Sequence, residues 1–159
     1  MSLAIIQARL HSTRLPNKML LPLGDTTVLG YACRTAYEFF DDVIVAVPAG
    51  DYERLCEVLP DHANVFPYVG DEADVLGRFH VVANRYREDP EDIIYRLTPD
   101  DFPLDLLRER FTLAQLDEWH ATVTDPHLRE HIGLLIPQRI EINTEEDYRA
   151  ALARLNGQS

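Results

Sequence analysis

The sequence predicts a single α/β domain with a mostly parallel sheet and helices on both of its faces. Three observations lead to this. Short apolar runs alternate with longer helical patterns along the first hundred positions, the spacing of parallel strands joined by right-handed crossovers. One run, Val43-Ile44-Val45-Ala46-Val47, is continuously apolar, as in a strand buried on both faces. The chain has 159 residues, 46% of them hydrophobic and 26% charged, which suits one ordinary core. No internal repeat or low-complexity tract divides it.

The elements follow in order. Leu3 to Ile6 is the first strand. Leu20-Leu21-Pro22-Leu23-Gly24 is expected to close onto the sheet edge. Thr26 or Thr27 caps a helix running to about Phe40, with Val28, Leu29, Ala32, Ala36 and Phe39 or Phe40 on one face. After the Val43–Val47 strand, Pro48 is a stop. Asp51 to Leu59 reads as a short helix with Tyr52, Leu55 and Val58 or Leu59 inward. Asn64 to Tyr68 is a short strand. Glu72 to Arg87 is helical, with Val75, Leu76, Phe79, Val82, Ala83 and Tyr86 at helical spacing. Ile93 to Leu97 is the next strand. Leu104 to about Trp119 reads as a helix, followed by Thr124 to Ile132. Thr144 is a good N-cap, with Asp147 three residues on able to reach back in a capping box. Gly157-Gln158-Ser159 is a loose tail.

The formal net charge of −12 argues against nucleic acid or an anionic membrane as a bulk partner. It leaves room for a mononucleotide held by a local cluster with a divalent cation. No stretch is long enough to cross a bilayer. The N-terminus enters the first strand without a signal peptide, so a cytoplasmic protein is expected. Cys33 and Cys56 stand singly in helical patterns without zinc-type spacing and read as reduced core thiols.

The connection after the first strand stands out. It spans about twenty residues, where strand-to-helix loops usually take roughly two to six. Open α/β sheets place ligands at such carboxyl-end loops. This one carries Arg9, Arg14 and Lys18; Lys18 is the one lysine among the 15 basic residues. Charge and loop length leave two readings open, a phosphate site and a solvated loop.

Residue identity goes further. Ala8, Arg9, Ser12, Arg14, Leu15, Pro16 and Lys18 lie at the spacing of I-x-A-R-x-x-S-x-R-L-P-x-K. The segment resembles the signature of the cytidylyltransferases that activate sugar acids and related sugars. The nearest branch has Gln before Ala-Arg, as in spore-coat polysaccharide biosynthesis proteins; CMP-sialate and CMP-KDO synthetases are more distant. Asn17 stands where the family usually has Gly, and Asn tolerates a left-handed backbone better than most residues.

Gly70 to Phe79 resembles the family's G-x-x-x-D-V-L-x-R-F/Y segment. By itself it is an acidic helix start, with Asp74 and Arg78 spaced for an i,i+4 ion pair. The resemblance implies that Asp74 or Arg78 faces substrate. Arg96 to Leu104 resembles R-L-T-G-D-C-P-L, in which the acid is a magnesium ligand. Counting from Arg96 selects Asp100, the first choice; counting back from Pro103 selects Asp101. Pro99 replaces the family's Gly, and the plain alternative for either acid is a helix cap. Arg129-Glu130-His131 matches an R-E-H of the nearer branch, and the resemblance makes His131 a candidate acceptor-pocket residue. His127 and His131 are also spaced as i,i+4, but no third metal ligand is evident. The closing segment Gln138 to Tyr148 resembles the family's last strand and helix. Asn143 aligns with its second metal-binding aspartate and brings no charge.

The resemblance implies a three-layer α/β/α, Rossmann-like nucleotidyltransferase fold over residues 1–159. Family members are considerably longer, and the region that builds the acceptor pocket and dimer contact is shortened. A monomer or a homodimer is therefore expected. The implied reaction attaches CMP from CTP to a hydroxyl of a sugar or sugar acid and releases pyrophosphate, with Mg2+. Arg9, Lys18 and Asp100 are the implied catalytic residues. Ala8, Ser12, Arg14, Asp74, Arg78 and His131 bind substrate, and Asp100, Asp101 and Asn143 are the metal candidates. One alternative is a catalytically impaired nucleotide-binding homologue acting as a regulatory or partner protein. Guanylyl transfer, as in short molybdenum-cofactor enzymes, ranks last because their glycine-rich first loop is missing.

Overall fold

The computed structural model describes residues 2–11, 15–99, 104–107, 109–136 and 142–156, without the side chains at 154 and 155. A five-stranded sheet forms its middle layer. Strand β1 (Ser2–Gln7) is central. Strands β2 (Pro22–Leu23) and β3 (Thr26–Thr27) form a separate antiparallel hairpin, and helix α1 (Val28–Phe39) follows. Then come β4 (Val43–Pro48), α2 (Tyr52–Cys56), β5 (Asn64–Tyr68), α3 (Val75–Tyr86) and β6 (Ile93–Leu97). Strand β7 (Arg110–Thr112) and helices α4 (Leu113–Thr122), α5 (Pro126–Glu130) and α6 (Glu145–Asn156) complete the chain.

The strand order is β5-β4-β1-β6-β7. β1 pairs in parallel with β4 (Ile5↔Ile44) and β6 (Ile5↔Arg96), and β4 pairs in parallel with β5 (Val45↔Val65). β7 is antiparallel to β6, with Ile94 opposite Phe111. The chain moves outward from β1 to β5 and then returns to the other side of β1. That reversal places the switch point of the sheet between β1 and β6.

Side-chain alternation divides the core into two. Ala4, Ile6 and Ala8, with Val43, Val45 and Val47, meet Leu29, Ala32, Cys33 and Ala36 of α1 and Leu55 of α2. Leu3, Ile5, Ile44 and Ala46 point the other way. They meet Val75, Leu76, Phe79, Val82 and Ala83 of α3 and Leu113 and Leu116 at the start of α4. The predicted three-layer α/β/α arrangement is therefore present. None of the described helices is long and apolar enough to cross a membrane.

Several elements differ from expectation, each for a local reason. The Pro22–Leu23 segment pairs with Thr26–Thr27 around Gly24 (φ 64°) instead of joining the main sheet. Tyr52 and Tyr86, expected inward, are exposed, as is Phe39, while Phe40 takes the core position. α3 begins at Val75 rather than Glu72, because the Asp74 side chain caps it by accepting from the Gly77 amide (3.1 Å). The helix expected from Leu104 begins only at Leu113. Thr112 and Gln115 form the capping box that starts it, and Arg110–Thr112 is spent on β7. The helix expected from Asp51 to Leu59 spans only Tyr52–Cys56, with Asp51 in the preceding 3-10 turn, and Cys56 is half-buried where Cys33 is buried. Two N-caps are as expected. Thr27 caps α1 by accepting from the Gly30 amide (3.0 Å). Thr144 and Asp147 exchange side chain-to-amide bonds of 3.1 Å at the start of α6.

Asn17 occupies the left-handed region, at φ 56° and ψ 31°. It is the non-glycine residue with positive φ among those described. The outcome expected at this turn is specific. Asn17→Gly should leave stability within about 0.5 kcal/mol of the parent or above it, because glycine reaches this conformation without steric cost. Asn17→Val should destabilise by about 1–2 kcal/mol, since a β-branched residue is strained there. Urea denaturation of the three proteins measures both; equal stability of the Val variant would exclude strain at this turn.

Candidate active site

Parallel strands put their carboxyl ends along one edge of the sheet, and β1 leaves that edge at its centre. The Ala8 amide donates to the Ala46 carbonyl (3.1 Å), one step beyond the strand. Two residues later the Leu10 amide donates to the Asp51 carboxylate (3.0 Å). Asp51 ends the 3-10 turn Ala49–Asp51 after β4 and is only 9% exposed. Arg9 is thus held between two anchored amides. The loop returns through the Asn17 amide, which donates to the Leu10 carbonyl (3.3 Å). The left-handed Asn17 then starts the 3-10 turn Lys18–Leu20, whose Met19 is buried in the core. Lys18 comes back in this way to the end of β1 that carries Arg9. Asp51 was not legible as a site residue. It lies 41 positions from Leu10, and only the β1–β4 pairing brings the two together.

The amino end of α3 reaches the same edge, because a crossover helix runs against its strands. The Asp74 carboxylate serves here as a structural clamp. Besides capping α3, it receives Nε (2.9 Å) and Nη2 (3.3 Å) of Arg129 in α5. The expected i,i+4 pair with Arg78 is replaced by this long-range one. Arg129 also donates Nη1 to the carbonyls of Val123 (2.9 Å) and His120 (3.3 Å), and its Nη2 lies 3.0 Å from His120 Nδ1. Every guanidinium nitrogen of Arg129 is engaged, so α3, α4 and α5 are held by one side chain. Gly77 permits this: a Cβ there would lie 2.3 Å from Asp74 Oδ2 and 2.9 Å from the Tyr68 hydroxyl. Burial pushes the Asp74 carboxyl up, but the Arg129 bond and charge and the Gly77 amide outweigh it, and the net shift is downward.

Arg78, one turn into α3, differs from Arg129. It is 0% exposed, and Nε, Nη1 and Nη2 have no hydrogen-bond partner. Burial lowers its basicity, and the Arg9 charge adds to the effect, while Glu72, Tyr68 and Asp74 oppose it. Gln7 Oε1 and Glu72 Oε1 are also buried without partners. Of the two α3 residues proposed from sequence, Asp74 is occupied by the fold and Arg78 has open donors.

Beside this clamp two histidines stack. The rings of His80 and His120 lie 3.9 Å apart at 14°, and His80 Nε2 is 3.2 Å from Asp117 Oδ1. Burial lowers the His80 pKa, as do the His120 and Arg129 charges, against Asp117. On the far side of the switch point Arg96 pairs with Glu109, and the turn Ile132–Leu135 lies over that pair at Gly133.

The remaining candidates are placed less centrally. His131 is exposed at the end of α5, with its ring 4.7 Å from that of His127. Asn143 is exposed, and its amide donates to Asp147 Oδ2 (3.1 Å) within the α6 cap. Ser12, Arg14, Asp100 and Asp101 lie outside the described residues. Among those described, no three His, Cys, Asp or Glu side chains converge as a metal site.

Two outcomes follow from this geometry. Asp51→Ala strands the Leu10 amide and should cost about 1–3 kcal/mol in urea denaturation. Asp51→Asn keeps an acceptor and should cost less; equal costs would show that the tether is not the reason Asp51 is buried. The second concerns pH. His80 titrates below its ordinary value of 6.5 in the fold, so the unfolded chain takes up the proton first. Its contribution is complete above that ordinary value and declines as pH falls through the window below it. Stability measured from pH 7.5 to 5 should therefore fall less steeply in His80→Asn than in the parent. An unchanged slope would remove His80 as a source.

Comparison with known proteins agrees with this architecture. Residues 3–116 match the profile of the family described as cytidylyltransferase. An uncharacterised protein of Methanocaldococcus jannaschii, MJ1063, is 36% identical over 101 residues, covering 62% of this chain. The match spans 40% of that relative's length. A solved cytidylyltransferase from Leptospira borgpetersenii serovar Hardjo-bovis superposes with a TM-score of 0.65 and 25% identity, over 99% of this chain and 87% of that one. A CMP:2-keto-3-deoxy-manno-octonic acid synthetase solved with CTP shares the fold at a TM-score of 0.54 and 20% identity, over 76% of this chain and 48% of that one. With the family's profile matched from β1 into α4, over most of its length, the chain belongs to the cytidylyltransferase family.

Proposed function

We propose that this protein is a cytidylyltransferase that transfers CMP from CTP to a hydroxyl of a small sugar or sugar acid, with release of pyrophosphate. The observation that carries the reading is the loop after β1. Arg9 is fixed between the anchored amides of Ala8 and Leu10, and the left-handed turn at Asn17 returns Lys18 to the same strand end. An acidic protein has here gathered cations where an α/β sheet binds ligands.

In the proposed reaction the acceptor oxygen attacks the α-phosphorus of CTP. A new P–O bond forms in line with the bond to pyrophosphate; that bond breaks with its electron pair going to pyrophosphate, and the acceptor hydroxyl gives up its proton to solvent. Catalysis of this kind rests on positioning and on neutralising charge. Arg9 and Lys18 would hold the phosphates, with Ser12 and Arg14 adding contacts or shaping the loop. Asp100, or Asp101, would hold Mg2+, with Asn143 as a neutral third candidate. The cation, when bound, would screen charge between the α-phosphate and the leaving group. Arg78 and His131 are the remaining substrate-binding candidates. A CTP-bound structural relative supports the nucleotide, and the acceptor rests on the sequence resemblance.

One observation favours a second reading. Asn143 supplies no charge where the resemblance calls for a metal-binding aspartate, as expected of a nucleotide-binding partner protein without turnover. Calorimetric titration with CTP, with and without Mg2+, separates the two. Tight Mg2+-dependent binding, followed by pyrophosphate release on addition of sugar-acid acceptors, is the expected result. Lys18→Ala should then lower the rate by about 100- to 1000-fold if Lys18 meets charge that develops in the transition state. Parental turnover in that variant would withdraw Lys18 from catalysis. CTP binding that ignores Mg2+, with no pyrophosphate from any acceptor, would favour the partner protein.

A further inference from the structure

A fully buried guanidinium without a single hydrogen bond is costly, and most proteins avoid it. Arg78 is such a group: it is 0% exposed, and all three of its nitrogens are unpartnered. The neighbouring arginines of the fold have partners for their charge, although Arg96 Nε and Arg87 Nε are also buried without a hydrogen bond. Arg129 is saturated by Asp74, His120 and Val123, and Arg96 is paired with Glu109. Asp74, the acid four residues before Arg78, faces Arg129 instead. The fold therefore withholds a partner from one arginine while using nearby acids on others.

The surroundings define what would fit. Arg78 stands one turn into α3, whose amino end lies at the carboxyl edge of the sheet. The helix dipole there favours negative charge. The Arg9 charge also lowers the basicity of Arg78, and a bound anion would relieve that repulsion. Gln7 extends the row Leu3, Ile5 on the α3 side of β1, opposite Ala46. Its Oε1 and Glu72 Oε1 are buried acceptors without donors. The open inventory is thus a planar fork of guanidinium donors and two acceptors, one of them the Glu72 carboxylate, whose charge bears on Arg78.

We propose that Arg78 forms a buried oxyanion subsite, which takes a carboxylate or phosphate of a ligand that also presents hydroxyl or amino donors to Gln7 and Glu72. A two-oxygen anion matches the guanidinium fork, and polar hydrogens beside it satisfy the two acceptors. This subsite adds a residue of α3 to the cations of the loop after β1 and reads a second feature of the substrates. It rests on the transferase reading only in taking the ligand to be a substrate of that reaction. The anion has two possible sources, a CTP phosphate or an acid group of the acceptor.

The test uses the full chain and three probes: CTP with Mg2+, inorganic phosphate and D-gluconate, the last an anion rich in hydroxyls. Binding is followed by calorimetry and by the rise in Tm. Arg78→Met removes the charge but keeps much of the apolar stem; Arg78→Lys keeps the charge but not the fork. Without ligand, Arg78→Met is expected to melt at or above the parental temperature, because it removes an uncompensated buried charge. Both variants are expected to bind at least one probe tenfold or more weakly than the parent. Loss for CTP alone assigns the anion to the nucleotide. Loss for phosphate or gluconate with CTP affinity unchanged assigns it to the acceptor, and that arm remains readable even if the parent fails to bind CTP. Three results overturn the proposal: an Arg78→Met protein that is unfolded or melts well below the parent, parental affinity for all three probes in both variants, or no binding of any probe by the parent. Glu72→Gln is the control for a hidden Arg78–Glu72 ion pair. A Tm of Glu72→Gln well below that of the parent would also count against the subsite.

Discussion

The site depends on β1 being paired on both edges. With β4 on one side and β6 on the other, the strand cannot shift register without turning its residues to the wrong core. Leu3, Ile5 and Gln7 must face α3, and Ala4, Ile6 and Ala8 must face α1. This double constraint fixes where the chain emerges, and so where Arg9 begins its loop. Parallel pairing adds a second consequence. Crossovers return every strand in the same direction, so β1, β4, β5 and β6 all end on one edge. The Ala49–Asp51 turn, the amino end of α3 and the loop after β1 meet there without any of them being neighbours in sequence.

Electrostatics at that edge are uneven, and the unevenness is informative. The chain is strongly acidic overall, yet its acids near the site are mostly committed. Asp51 holds a backbone amide, Asp74 holds α3 and Arg129, and Glu109 holds Arg96. Cations are treated differently. Arg129 and Arg96 are neutralised by the fold, while Arg78 is buried without a partner. Arg78 is thus a destabilising group that a bound anion would stabilise. The Arg129 clamp matters for the same reason: it holds the amino end of α3, and Arg78 with it.

Much of the fold was legible because the periodicities were strong. The runs at Val43–Val47, Asn64–Tyr68 and Ile93–Leu97 are strands, and Val75, Leu76, Phe79, Val82 and Ala83 form one buried helix face. Caps at Thr27 and Thr144 were legible because a hydroxyl before a helix has few better uses. Asn17 was readable as a left-handed turn from its chemistry. The stretch after Leu104 was misread as helical, since a three-residue edge strand leaves almost no periodic signal. Tyr52 and Tyr86 were placed inward by spacing but lie outward, because an aromatic residue at the rim of a helix face can turn its ring to solvent.

The sequence by itself determined the alternation of strands and helices, the cation-bearing loop after β1 and the resemblance to a nucleotidyl-transfer family. Each of these is a local pattern, decided by neighbours within a few residues. The tertiary structure alone decided who is paired with whom. Asp74 and Arg78 share a helix face at ion-pair spacing, so sequence pairs them. Arg129, 55 residues from Asp74, reaches it through the packing of α5 against α3 and takes its carboxylate. Asp51 likewise becomes a tether for Leu10 only when β4 lies beside β1. Charge pairing and burial depend on three-dimensional proximity and desolvation, and neither quantity is written in the order of residues.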